Sequence, residues 1–175
     1  EDFNYAKALE LAETFFWNFT DDYVELVKDR AYGGQGEAGA ASARATLATS
    51  LSVLLRLFAP FLPFTTEEVW SWWQEGSVHR QAWPEAAAVA TLAGAADPAL
   101  VDDVAAVLTA VRKAKSEAQA SMRADVSEAV VVAPAAQAAR LRAAAGDIRA
   151  AGRIAELTIT EGDGTLDVRV VLAEA

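Results

Sequence analysis

Residues 5–26 read YAKALELAETFFWNFTDDYVEL, and the spacing of apolar side chains in this stretch decides the fold class. Tyr5, Leu9, Ala12, Phe16, Phe19, Tyr23 and Leu26 recur at alternating four- and three-residue steps, which places them on one face of a helix. Glu10, Glu13, Asp21, Asp22 and Glu25 take the remaining positions, so the helix is amphipathic and needs a partner for its apolar face. The pattern extends over residues 3–32 and ends at Gly33-Gly34, with a glycine- and alanine-rich connector to about Ala40. Leu47, Leu51, Leu54, Phe58 and Phe61 repeat the register in a second helix, which Pro60 and Pro63 kink or end. Thr65 or Thr66 is expected to cap a third, short helix running to Trp73, with Glu67 and Glu68 in its first turn and Gly76 as its stop.

After a low-information Ala/Val stretch from Glu85 to Gly94 the period changes. Asp97-Pro98 opens a helix to about Ser121. Glu128 to Ala133 is a short β-branched run, and Ala135 to Ala145 is an alanine-rich helix. Ile154 to Thr160 and Leu166 to Leu172 alternate on either side of Glu161-Gly162-Asp163-Gly164, which predicts a β-hairpin. The expected fold is therefore mainly α: an antiparallel helix bundle over residues 1–95, then a small α+β module with a β-hairpin over residues 96–175.

Composition narrows the chemistry. The chain has 175 residues and a formal net charge of −10, so bulk electrostatics cannot hold it to nucleic acid. Any such contact needs a local basic cluster on an acidic body. With no cysteine, disulfides, thiolate catalysis and cysteine zinc sites are excluded, and the single histidine, His79, excludes a His-pair metal site. No apolar run approaches the roughly 20 residues that span a bilayer, and no signal segment opens the sequence, so the cytoplasm is the default compartment. The sequence starts at Glu1 without an initiator Met and runs straight into a helical pattern, which reads as a piece of a longer protein. Gly33-Gly34-Gln35-Gly36 follows a helix and not a strand, so it is a connector and not a phosphate loop. Catalytic, cofactor and metal residues are all expected to be absent.

Two basic clusters stand out. Arg30 continues the apolar register of the first helix near its end, and Arg44 does so near the start of the second. An antiparallel hairpin would gather Lys28, Arg30, Tyr32 and Arg44 around the glycine connector. Cations beside an exposed ring suit a single-stranded loop, because the cations meet phosphates and the ring stacks on a base. The plainer alternative is that Lys28 and Arg30 complement the helix dipole while pairing with Asp29 or Glu25. The second cluster is Arg112, Lys113 and Lys115, continuing to Arg123; it reads equally as a solvated helix face or as phosphate contacts along an RNA stem. Among the aromatics, Phe16, Phe19, Trp70 and Trp73 fit inward positions, whereas Trp17 and Trp72 point elsewhere.

Two strings carry a resemblance. Residues 15–28, FFWNFTDDYVELVK, resemble the first helix of the anticodon-binding domain in class I aminoacyl-tRNA synthetases. Residues 55–70, LRLFAPFLPFTTEEVW, look like that domain's Pro-Phe-x-x-Glu-Glu-x-Trp segment. The aromatic triplet of the first string, with Ser77-Val78-His79-Arg80 leading to Trp83-Pro84, is most similar to the valyl branch, with the isoleucyl branch as nearest alternative. A non-RNA helical protein-interaction domain is the alternative from another class. Neither a His-x-Gly-His nor a Lys-Met-Ser-Lys-Ser signature is present. The resemblance thus implies a non-catalytic part of a ligase that grips the anticodon stem-loop of a valine tRNA. ATP and Mg would be used by a catalytic domain of the same polypeptide outside this chain, with no membrane or DNA partner. It implies phosphate contacts by Lys28, Arg30 and Arg44, stacking by Tyr32, and stem contacts by Arg112, Lys113, Lys115 and Arg123.

Overall fold

A computed structural model describes residues 4–173. Asn4 caps the first helix, its side-chain oxygen accepting from the Lys7 N–H at 3.0 Å. Helix α1 (Tyr5–Asn18) passes into a π-helical segment (Phe19–Val24) and then into α2 (Glu25–Ala31). Residue 3, where the sequence places the helix start, lies outside the described residues. The expected single helix is thus continuous from Tyr5 to Ala31 but wider in its middle. There Phe15, Phe19 and Tyr23 stack in succession, with ring centroids 5.9 and 5.5 Å apart. Tyr32 to Gln35 form the whole connector. Gly33 and Gly36 sit at φ +96° and +82°, which other residues rarely adopt, so the turn needs glycine at those two places. Helix α3 (Gly36–Phe58) begins earlier than the connector reading predicts, because the alanines after Gly36 favour helix.

The residues cluster into two compact units. The first comprises the described residues up to Val24 together with Ala41–Ala96. In it Phe16 meets Phe58 edge-on at 5.7 Å, bringing α1 against the end of α3. Helix α4 (Pro63–Ser71) starts at Pro63, not at a threonine cap. Pro is preorganised for a first helical turn, and Thr66 is buried, its hydroxyl donating to the Leu62 carbonyl at 2.9 Å. Trp70 packs with Leu55, Ala59 and Val78 in a small core. Glu67 secures the following 3-10 turn (Val78–Arg80), accepting from the Ser77 hydroxyl at 2.9 Å and the Val78 N–H at 3.0 Å. Trp17 and Trp72 are exposed as expected, and Trp73 sits at the rim, 6.0 Å from Trp70, and not in the core. Helix α5 (Ala86–Ala93) occupies the alanine-rich stretch.

The second unit comprises Glu25–Ala40 and the chain from Asp97 onward, so the hairpin tip, expected in the bundle, clusters with the α+β module. Its elements after the tip are α6 (Ala99–Glu117), β1 (Val126–Ala133), α7 (Ala135–Ala143), α8 (Ala145–Gly152), β2 (Ile154–Glu161) and β3 (Asp167–Leu172). The predicted β-hairpin is not formed. The sheet order is β2-β1-β3, with β1 parallel to β2 and antiparallel to β3. Residues 162–166 therefore cross the end of the central strand, where the Gly162 N–H donates to the Ala133 carbonyl at 3.0 Å. Ala129 and Val131 pair with Leu157 and Ile159 on one side and with Val170 and Val168 on the other, forming the face that α6, α7 and α8 cover. The opposite face carries Glu128, Glu156, Thr158 and Arg169, a solvent pattern. No helix among the described residues is long and apolar enough to cross a membrane.

Candidate nucleic-acid interface

The tip of the helical hairpin belongs to the second unit, and there the two basic clusters of the sequence meet. A groove of about 520 Å³ is lined by Lys28 and Tyr32 from the tip, by Arg112 and Lys115 from α6, and by Met122 and Gly152. Lys28 is exposed, its Nζ 3.2 Å from Glu25 Oε1, one helical turn away. Tyr32 follows the last residue of α2 and is 82% exposed, an unusual degree for an aromatic ring. Arg112 is exposed on α6. Glu25 and Asp29 also line the groove, so its two exposed cations, Lys28 and Arg112, stand beside two carboxylates.

Two of the expected RNA contacts turn inward. Arg30 pairs with Asp147 of α8, Nη2 to Oδ2 at 2.9 Å and Nε to Oδ1 at 3.1 Å, and its side chain is only 24% exposed. Its partner is thus neither Asp29 nor Glu25, the nearby carboxylates of its own helix. Lys115 is 3% exposed, with Nζ donating to the Gly152 carbonyl at 3.0 Å and the Met122 carbonyl at 3.3 Å. Burial, reinforced by the charge of Arg153 and partly offset by Asp125, lowers its pKa from the ordinary lysine value. An ammonium spent on two carbonyls is a structural group, not a phosphate contact. The sequence held the signal: Val104, Val107, Leu108, Val111 and Lys115 are all buried along one stripe of α6.

The other candidates scatter. Lys113 points away from the buried stripe and pairs with Glu117 at 3.8 Å, a weak surface interaction. Arg123 is exposed in the turn after α6 and takes no part in lining the groove. Arg44 is exposed on α3 within the first unit, so the expected trio of Lys28, Arg30 and Arg44 is not assembled inside one unit. Sequence reasoning missed Asp147 and Gln35 altogether. Asp147 stands in an alanine-rich run whose neighbours announce no partner, and its partner Arg30 lies 117 residues away.

Comparison with known proteins bears on what such a groove serves. A family model described as the anticodon-binding domain of tRNA ligase matches residues 1–131. The chain is 53% identical over 175 residues to the valine–tRNA ligase of Thermobifida fusca (strain YX), covering 99% of this chain and 20% of that protein. It is 48% identical over 173 residues to that of Leifsonia xyli subsp. xyli (strain CTCB07), with 99% and 20% covered. The valine–tRNA ligase of Cutibacterium acnes (strain DSM 16379 / KPA171202) is 47% identical over 174 residues, with 98% and 20% covered. The chain thus spans about a fifth (20%) of the length of these relatives. Both strings that carry the resemblance to class I synthetases fall inside the matched segment, and the chain belongs to the family of anticodon-binding domains of tRNA ligases.

Proposed function

We propose that the chain is the anticodon-end tRNA-binding part of a valine–tRNA ligase and that the groove of the second unit holds the looped end of a valine tRNA. The observation that carries this reading is the convergence of Lys28, Tyr32 and Arg112, from two separate stretches of sequence, on one cleft. A flexible single-stranded loop offers what such a cleft takes: phosphates for the cations and an unstacked base for the Tyr32 ring. A paired DNA duplex offers no splayed base, so the site favours looped RNA. Valine activation with ATP and Mg, and transfer to the distant acceptor end, belong to the catalytic region of the same polypeptide outside this chain, and the working compartment is the cytoplasm.

The test is a titration of the chain with tRNA bearing a valine anticodon, and with the same tRNA carrying a foreign anticodon loop, over a range of salt. Preference for the valine loop, with log K falling linearly against log salt, is the expected result. Equal affinity for both loops, or affinity indifferent to salt, overturns the reading.

A further inference from the structure

The carboxylate that shapes the rim of the groove does not line it. Asp147, in the first turn of α8, is 6% exposed, and both its oxygens are taken by the hairpin tip. Oδ2 accepts from Arg30 Nη2 at 2.9 Å; Oδ1 accepts from Arg30 Nε at 3.1 Å and from Gln35 Nε2 at 2.8 Å. Arg30 lies in the last turn of α2, and Gln35 lies just before α3. The grip therefore closes on both flanks of the segment that presents Tyr32. Gln35 reaches its place across Gly146, where an added Cβ would lie 2.5 Å from Gln35 Oε1.

The tip needs such a grip. It holds Gly33, Gly34 and Gly36, residues that lose the most conformational freedom on folding, and Tyr32 is too exposed to be fixed by packing. A buried carboxylate, in turn, is tolerated only when its hydrogen bonds are complete. The matched family segment ends at residue 131, so the holding group comes from outside it.

We infer that Asp147 is a positioning residue: its carboxylate, through Arg30 and Gln35, fixes the hairpin tip so that Tyr32 and Lys28 stand preformed at the groove for a looped RNA. The inference rests on the proposed function for its RNA partner, though not for the grip itself. A preorganised tip binds more tightly because its ordering is complete before the ligand arrives.

Asp147→Asn keeps the shape of the side chain but sets an amide against the Arg30 guanidinium. Hydrogen exchange on the whole chain should then show the amides of Tyr32, Gly33, Gly34 and Gly36 exchanging about tenfold faster or more, the factor expected when a charged hydrogen bond is lost. Amides of α6 and β1 should hold their rates. Affinity for tRNA bearing a valine anticodon should fall about tenfold. In a background already carrying Lys28→Ala and Tyr32→Ala, the same substitution should cost less than about twofold, because independent effects add and coupled ones do not. Should Asp147→Asn fail to fold, Gln35→Ala opens one flank alone and is expected to speed tip exchange in the same direction. Unchanged exchange at the tip overturns the inference, as does an equal loss of affinity in both backgrounds. A wild-type chain that binds no tRNA sinks the proposed function alone, since the exchange measurement uses no RNA.

Discussion

Arg30 and Asp147, 117 residues apart, are joined by two hydrogen bonds of 2.9 and 3.1 Å that tie α2 to α8. The geometry is side-on and bidentate, the arrangement in which arginine binds carboxylate most strongly. Removing one partner leaves the other charge buried. Arg30→Ala should lower stability by about 2–3 kcal/mol, below the figure for a fully buried pair because Arg30 keeps part of its exposure. Urea denaturation followed by ellipticity measures the loss. Replacing both residues by apolar ones, Arg30→Met with Asp147→Leu, should restore most of it, since buried ion pairs gain little over well-packed apolar groups. A double variant as unstable as the sum of the two single ones would show that the pair is not coupled.

Lys115 gives a pH signature. Its pKa is lowered in the folded chain, chiefly by burial. Between that lowered value and the ordinary lysine value of about 10.4, the unfolded chain therefore binds more protons than the folded one. Stability must then rise with pH across this window, because folding releases the proton that burial penalises. Below the window both states are protonated and the penalty is constant; above it both are neutral and the penalty is gone. Lys115→Met cannot titrate, so the stability of the wild type minus that of the variant should climb as pH increases through the window. Thermal or urea midpoints of the two proteins, compared stepwise from neutral to alkaline pH, decide the matter; a flat or falling difference contradicts the buried ammonium.

These two residues also mark where reading the sequence stopped short. The 5–26 periodicity predicted a continuous helix, and the helix is there, because a strongly amphipathic stretch constrains itself locally. Likewise the Pro63 to Trp70 string could be recognised because each residue has a nearby job: Pro63 starts α4, Glu67 holds the 3-10 turn, Trp70 fills the core. Arg30 and Lys115 each fall on the apolar register of their helix, but what they bind there lies 117 and 37 residues away, beyond any local window. The sheet failed for the same reason. Two alternating strands joined by a glycine turn look like a hairpin, and what separates them is β1, which precedes both. One hint was present: Ala129 to Ala133 form an unbroken apolar run, as suits a central strand whose open-face residues are shielded by side chains of both neighbours, whereas β2 and β3 alternate. Helix α8 escaped notice because its eight residues carry too little periodicity.

If the groove holds RNA, its cations can be told from their neighbours by salt. Lys28→Ala and Arg112→Ala should each reduce the slope of log K against log salt by roughly 0.7–1, the share of one phosphate contact. Lys115→Met should leave the slope unchanged, since its ammonium is engaged with the Gly152 and Met122 carbonyls. Lys113→Ala should also do little, because that side chain pairs with Glu117 away from the groove. Four salt titrations with the same tRNA distinguish them. A larger change for Lys113 than for Lys28 would move the interface to another face of α6.

Gly162 is the residue that lets the chain pass from β2 to β3. Those strands flank β1, so the connection must cover two strand spacings, roughly 9–10 Å, over the end of the central strand. It does so by lying close against Val132: a Cβ built on Gly162 would come 2.6 Å from the valine Cγ1. Valine cannot swing clear, because its branched side chain has a strongly restricted χ1. Gly162→Ala should therefore destabilise the sheet by about 1–3 kcal/mol, the usual cost of overpacking. Val132 is only partly buried, so Val132→Ala alone should cost about 1 kcal/mol or less. Combined, the two changes should cost less than Gly162→Ala alone, because the second removes the methyl that the first strikes. Hydrogen exchange at the Val130 and Val132 amides, together with urea midpoints, gives the comparison. Additive losses would mean that the crossing segment is not pressed on Val132, and a simple hairpin turn would again be open.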